Sequence, residues 1–256
     1  SGLYLFEGYT YGTAMPVYVE FPKDDGGGIP PGARAAVEKR MFVTTDPPQE
    51  GSWHWDSEQA AEYRPREQWI PGTKITVRIG FGGLPLGGGR FGDQDRTANV
   101  TIANRTMVLL ADNATKTMTV SQDGQQVQSF PISLGKASTP SSYGNMVLMS
   151  RERTSRFISR TPGDSYDTVV EYAERLTWGG EYIHAAPWSE EDQGYRNVSH
   201  GCINLSTGNA AWLYENSMVG DMIIVRGTEN KLAQGNGWTV WDLSWDQVVA
   251  GSALRK

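Results

Sequence analysis

Ser199-His200-Gly201-Cys202-Ile203-Asn204 contains the only cysteine of a 256-residue chain, and His184 lies eighteen positions before that thiol. A solitary cysteine forms no disulfide within its own chain, so either packing or thiolate reactivity explains it. A free thiol titrates near about 8.5, and a nucleophilic one needs a base or a positive charge beside it. The chain has three histidines, His54, His184 and His200, and two of them cluster with Cys202 in a Gly-, Pro- and Ser-containing segment. His54, between Trp53 and Trp55, reads as a partly exposed strand residue.

Chain geometry favours His184 as the base. In an extended Ser199-His200-Gly201-Cys202, side chains two apart share a face and point in parallel, so the His200 ring does not turn readily onto the sulfur. His184 ends an apparent strand, Gly180 to Ile183, and the fourteen residues from Ala185 to Val198 suffice to bring the chain back beside it. The imidazole also needs a partner that fixes its tautomer. Glu181, Glu190, Glu191 and Asp192 read as solvated loop or strand-edge charges, so a backbone carbonyl is a fair alternative acceptor. A zinc site would need three or four ligands. His184, His200 and Cys202 supply three only if all converge, and no familiar spacing completes the set, so no metal is expected.

His184, fourteen residues, then Ser199 to Asn204 resembles the signature of the L,D-transpeptidases, also called the YkuD family, which make peptidoglycan cross-links. The likeness extends to His184-Ala185-Ala186-Pro187-Trp188-Ser189, Gln193-Gly194, Asn204-Leu205-Ser206, Ser133-Leu134-Gly135-Lys136, Thr139-Pro140 and the tail from Trp241 to Gln247, as in two-domain mycobacterial-type enzymes. The resemblance implies Cys202 as nucleophile, His184 as base and the Ala185 carbonyl as its orienting acceptor. It places His200 at the site and the backbone N–H groups of Gly201 and Cys202 against the developing oxyanion. Tyr166, on a flap from about Ser150 to Glu171, would join Trp188, Ser199 and Asn204 in binding substrate. The implied partners are a tetrapeptide donor stem, a diamino-acid acceptor stem and carbapenem β-lactams that acylate Cys202. No cofactor is implied. Water in place of the acceptor would give L,D-carboxypeptidase activity. A sortase-like enzyme also has a histidine before its cysteine, but it needs an arginine beside the thiol, for which Arg226 is the nearby candidate. A non-catalytic wall-binding protein is the remaining alternative, and retention of both His184 and Cys202 argues against it.

Composition sets outer limits. A chain of this length holds two cores comfortably, and 38% hydrophobic residues is ordinary for globular domains. A net charge of −6 disfavours nonspecific nucleic-acid binding. There is no run of eighteen apolar residues, and Ser1-Gly2-Leu3 lacks the pattern of a signal peptide. Membrane association is therefore expected only through an N-terminal anchor outside this sequence, and the peptidoglycan substrate implies an extracytoplasmic, wall or periplasmic location. The triple-glycine runs at Gly26 and Gly87 lack the Lys-Ser or Lys-Thr of a phosphate loop and read as ordinary loops, the first as Asp24 to Gly28.

Short alternating segments between turn residues predict a mainly β protein. Met15–Phe21, Ala36–Thr45, Ser52–Trp55, Glu62–Arg64 and Lys74–Phe81 read as strands of an immunoglobulin-like sandwich over residues 1–98. A β-rich catalytic domain of the YkuD type is expected over 99–227. Its strands are predicted at 100–102, 106–112, 116–122, 125–133 and 221–226, with a hairpin at Asp123-Gly124 and a helix at 210–215 capped by Ser206. A Trp-rich segment over 228–256, with a short helix at 246–250, is expected to pack on the catalytic domain. Most of the nine tryptophans are expected in the core.

Overall fold

A computed structural model of the chain describes residues 1–21 and 28–255, so the loop expected at Asp24 to Gly28 falls, except for Gly28, outside the described residues. The chain forms two compact units, Ser1–Arg105 with Trp238–Lys256 and Thr106–Gly237.

The first unit contains β1 (Gly2–Leu3), β2 (Thr10–Tyr11), β3 (Val17–Glu20), α1 (Pro31–Glu38), β4 (Met41–Asp46), β5 (Gly51–Trp55), β6 (Ala60–Pro65), β7 (Lys74–Ile79), β8 (Pro85–Gly87), β9 (Arg90–Phe91) and β10 (Arg96–Ile102). Two four-stranded sheets, β1-β3-β6-β5 and β2-β10-β7-β4, supply its sandwich. Alternation along β7 puts Ile75, Val77 and Ile79 in the core and Lys74, Thr76 and Arg78 outside, which is how one strand faces both a core and water.

Three expectations are corrected here. Residues 36–38 are helical: Pro31 fixes the first-turn φ of α1, Ala33 to Ala36 favour the helix, and the following strand starts only at Met41. Residues 100–102 belong to the first unit, because β10 pairs with β7 from Arg96↔Ile79 to Thr101↔Lys74. The boundary accordingly falls at Arg105 rather than residue 98. The glycine-rich loop misled because it reads as a domain end. Its Gly87, Gly88 and Gly89 have positive φ and turn the small β8–β9 hairpin, which returns the chain to the same unit.

The second unit contains β11 (Met107–Asp112), β12 (Thr117–Gln122), β13 (Gln125–Pro131), β14 (Ser142–Val147), β15 (Ser150–Ser159), β16 (Tyr166–Arg175), β17 (Tyr182–Ala185), β18 (Ile203–Leu205), α2 (Thr207–Asn216), β19 (Met222–Arg226) and β20 (Asn230–Lys231). Its six-stranded sheet runs β13-β12-β11-β19-β14-β20, and its four-stranded sheet runs β15-β16-β17-β18. Asp123 and Gly124, at φ 51° and 80°, form the hairpin turn between β12 and β13. Ser206 caps α2 by accepting the N–H of Asn209. Leu109, Val120, Leu148, Ile203, Leu213 and Ile223 share one core between these elements. No helix of the described residues is long and apolar enough to cross a membrane.

The C-terminal segment also departs from expectation, because from Trp238 onward it packs in the first unit. Its short helix α3 (Trp245–Ala250) carries a capping box between Ser244 and Gln247. Arg64 supplies the physical reason. Its guanidinium donates to the carbonyls of Val240 and Leu243 and lies 4.4 Å from the Trp241 ring centroid. Glu62 accepts the Thr239 N–H, the Trp241 indole donates to the Ala14 carbonyl at 2.7 Å, and Glu38 accepts from Ser252 and from the Ala253 N–H. The buried tryptophans, Trp53, Trp55, Trp69, Trp238 and Trp241, all lie in this first unit.

Candidate active site

Two parallel strands bring the thiol and the imidazole together. β17 pairs with β18 in the register Ile183↔Ile203, His184↔Asn204 and Ala185↔Leu205. Side chains two apart share a sheet face, so Cys202 shares the face of Asn204, and His184 stands opposite Asn204 on the neighbouring strand. Both Cys202 and His184 line one cavity of about 490 Å³, roofed by Phe157, Tyr166 and Val170 of the β15–β16 hairpin.

His184 is buried and its Nδ1 lies 2.8 Å from the Ala185 carbonyl oxygen. A carbonyl only accepts, so Nδ1 carries the proton and Nε2 is left as the basic nitrogen. Phe157 and the imidazole pack at right angles, 5.3 Å between centroids, and the largely exposed Trp188 approaches to 5.9 Å. Burial lowers the imidazole's pKa, partly offset by the Ala185 hydrogen bond.

Cys202 is partly exposed, and its thiol lies 3.8 Å from the Gly180 carbonyl, to which it donates. Burial pushes the thiol up to about 12; the backbone N–H of Tyr182 opposes this, and the Glu181 carboxylate adds to it. Burial thus favours a neutral thiol beside a neutral imidazole. A charge-separated pair is disfavoured at both partners.

The loop before Cys202 is held from several sides. Ser199 Oγ donates to the Cys202 carbonyl at 2.6 Å and accepts the Gly201 N–H at 3.1 Å. Ser141 Oγ donates to the Gly201 carbonyl at 2.7 Å. The expectation that the Gly201 N–H faces an oxyanion is therefore corrected, since a serine hydroxyl already occupies that donor. What Gly201 supplies is its φ of 122°, which side-chain-bearing residues rarely adopt. Asn204 is buried, donates from Nδ2 to Ser189 Oγ at 3.0 Å, and leaves its buried Oδ1 without a hydrogen-bond partner at the cavity wall.

His200 is engaged by the hairpin above it. Its Nε2 lies 2.7 Å from Asp164 Oδ1 in the turn between β15 and β16, and the Tyr166 ring sits 4.6 Å from its own. Lys136 donates to the same Asp164 oxygen at 3.0 Å. Asp164 and Phe157 were not legible as site residues, because nothing local marks a hairpin tip or a strand aromatic for contacts 25 to 40 positions away. Glu181 also differs from expectation. It is half-buried, accepts the Ser142 N–H at 2.6 Å, and burial raises its pKa. Among the described residues no three His, Cys, Asp or Glu side chains converge as a metal site would require.

This geometry coincides with two family matches: residues 106–225 match the L,D-transpeptidase catalytic domain, YkuD, and residues 2–85 a bacterial Ig domain. L,D-transpeptidase 1 of Mycobacterium tuberculosis is 37% identical over 86% of this chain and 82% of its own length. The chain belongs to the L,D-transpeptidase family. L,D-transpeptidase 2 of the same species is 35% identical over 96% of this chain, and L,D-transpeptidase 5 is 37% identical over 99%. The chain spans 60% and 56% of the length of those two family members. Among solved family structures, an L,D-transpeptidase in complex with imipenem superposes with a TM-score of 0.71 at 34% identity, over 88% of this chain and 98% of that one. L,D-transpeptidase 3 of M. tuberculosis with a faropenem-derived adduct gives 0.70 at 27% identity, over 89% of this chain and 97% of that one.

Proposed function

We propose that this chain is a peptidoglycan L,D-transpeptidase that joins two third-position residues of neighbouring stems through a thioester on Cys202. The observation that carries this is the His184 tautomer, fixed by the Ala185 carbonyl, with its free nitrogen in the cavity that also holds Cys202. The donor tetrapeptide lies beneath the β15–β16 hairpin. Nε2 of His184 takes the thiol proton as sulfur attacks the carbonyl on the L-centre of the third residue. Collapse of the tetrahedral intermediate forms the thioester, and the imidazolium returns its proton to the departing D-alanine amine. An amine from the acceptor stem then attacks the thioester, forming the amide and releasing the thiol. Water at the same step gives a carboxypeptidase.

Trp188 and Tyr166 offer aromatic walls to the aliphatic parts of the donor stem. Such work belongs at the cell wall, outside the cytoplasm. The imipenem complex and the faropenem adduct of the related structures support the same sulfur as the target of strained β-lactam carbonyls. Intact-protein mass spectrometry after imipenem treatment tests this. One adduct is expected on the wild type and none on Cys202→Ala; an adduct that persists in the variant refutes the assignment.

A further inference from the structure

We propose that a second cleft beside the nucleophile loop binds the primary ammonium of the acceptor stem, with Glu181 as the carboxylate that holds it; this rests on the transpeptidase activity proposed above. The cleft measures about 190 Å³ and is walled by Glu181, Gly201, Thr139, Thr177 and Asn236. His200 borders both this cleft and the larger cavity, so the two approach the same loop.

Three observations converge on a cation. The open side of Gly201 forms a notch. A Cβ built there would lie 3.9 Å from Glu181 Oε1 and 3.9 Å from the Thr139 carbonyl oxygen, so two acceptors face the residue next to the nucleophile. Among the described residues no lysine or arginine pairs with Glu181, although the carboxylate is half-buried and fixed by the Ser142 N–H. Its charge also opposes thiolate formation at Cys202. A carboxylate that hinders the first half of the reaction is understandable if it serves the second. The Ser142 and Thr177 hydroxyls also bond the carboxylate, and all three donors are neutral, so none of them compensates its charge; a neutral amide oxygen can accept the Ser142 N–H in its place.

Proton accounting gives the same answer. An alkyl ammonium loses two protons on becoming an amide nitrogen, and His184 handles only the one that returns to sulfur. In this scheme the ammonium gives its first proton to the Glu181 carboxylate, which becomes a carboxylic acid. The neutral amine attacks the thioester carbonyl and the C–N bond forms. The second proton passes through His184 to sulfur as the C–S bond breaks, and Glu181 later releases its proton to solvent.

Glu181→Gln, supplied with a tetrapeptide donor and a tripeptide acceptor bearing a diamino acid, separates the roles. Acylation by faropenem is expected to be unchanged or faster, which also reports an intact site. The ratio of dimer to hydrolysed donor is expected to fall roughly tenfold or more, with a raised KM for the acceptor. An unchanged ratio, or acylation that falls in step with dimer formation, overturns the inference. A wild type that forms no thioester and no dimer overturns the transpeptidase activity, and this inference with it.

Discussion

His184 is the residue on which the chemistry turns, and its environment dictates its pH response. Burial holds its pKa below the ordinary 6.5. The neutral base is therefore present from below that pH upward and is lost only as pH falls through the depressed value. Acylation by faropenem should rise along one limb with its midpoint below pH 6.5 and then stay level through neutrality. A thiolate–imidazolium pair would instead lose activity again as the imidazolium gives up its proton, so stopped-flow rates between pH 5 and about 9 distinguish the two. His184→Ala should lower turnover by roughly 10²- to 10⁴-fold while the melting curve stays intact; undiminished turnover would exclude it as the base. The Cys–His pair was legible because the single cysteine and its spacing from two of three histidines constrain it strongly, whereas the carbonyl partner came from the family resemblance. Glu181 was not legible as a site group. Beside Gly179-Gly180 it reads as a solvated charge, and what holds it is the backbone N–H of Ser142, which folding alone brings near.

At the scale of elements, the β15–β16 hairpin forms the cavity's roof, and Asp164 ties its turn to His200 and Lys136. All three partners are about one-third exposed, so salt weakens this tie. Asp164→Asn should speed hydrogen exchange at residues 160–166 and make wild-type exchange there more salt-sensitive than the variant's; identical exchange would exclude the tie as a restraint. The base of the same hairpin carries a buried liability. Glu174 lies inside, bonded to Ser217 and to Arg151 at 3.3 Å, and burial raises its pKa to about 7. Unfolded, it titrates near 4.5. Its stabilising contribution is complete below that value and is lost as pH rises toward about 7. Relative to Glu174→Gln, the wild type should lose on the order of 3 kcal/mol between pH 4.5 and 7.5, read by denaturant titration. A parallel pH dependence in the two proteins would contradict this. Regular strands and the Asp123-Gly124 turn were legible because alternation and turn chemistry are local. The α1 helix was hidden because β-prone Val37 and Phe42 obscured the proline-initiated turn before them.

For the whole molecule, the chain leaves its first unit at Arg105 and returns to it at Trp238. The tail's tryptophans announced burial in the sequence, but hydrophobic payload does not say against which core. The deciding partners are Arg64, Glu62 and Glu38, scattered charges whose burial only the fold reveals. Deleting residues 238–256 removes the tail groups that Arg64, Glu62 and Glu38 bond to, at roughly 1 kcal/mol for each hydrogen bond lost, together with the buried Trp238 and Trp241. The first unit should then lose its cooperative transition in calorimetry, while imipenem acylation, confined to residues of the second unit, persists; retention of both transitions would refute that account. Two domains with a Cys–His site in the second were legible from sequence, whereas the return of the chain was not.

The most direct examination of the central claim is tandem mass spectrometry of the product formed from a defined tetrapeptide-bearing muropeptide. The account predicts a dimer joined between two third-position residues, with the donor's terminal D-alanine released and no dimer from Cys202→Ala. A dimer that retains the donor's fourth residue, or one that forms without the thiol, would contradict it.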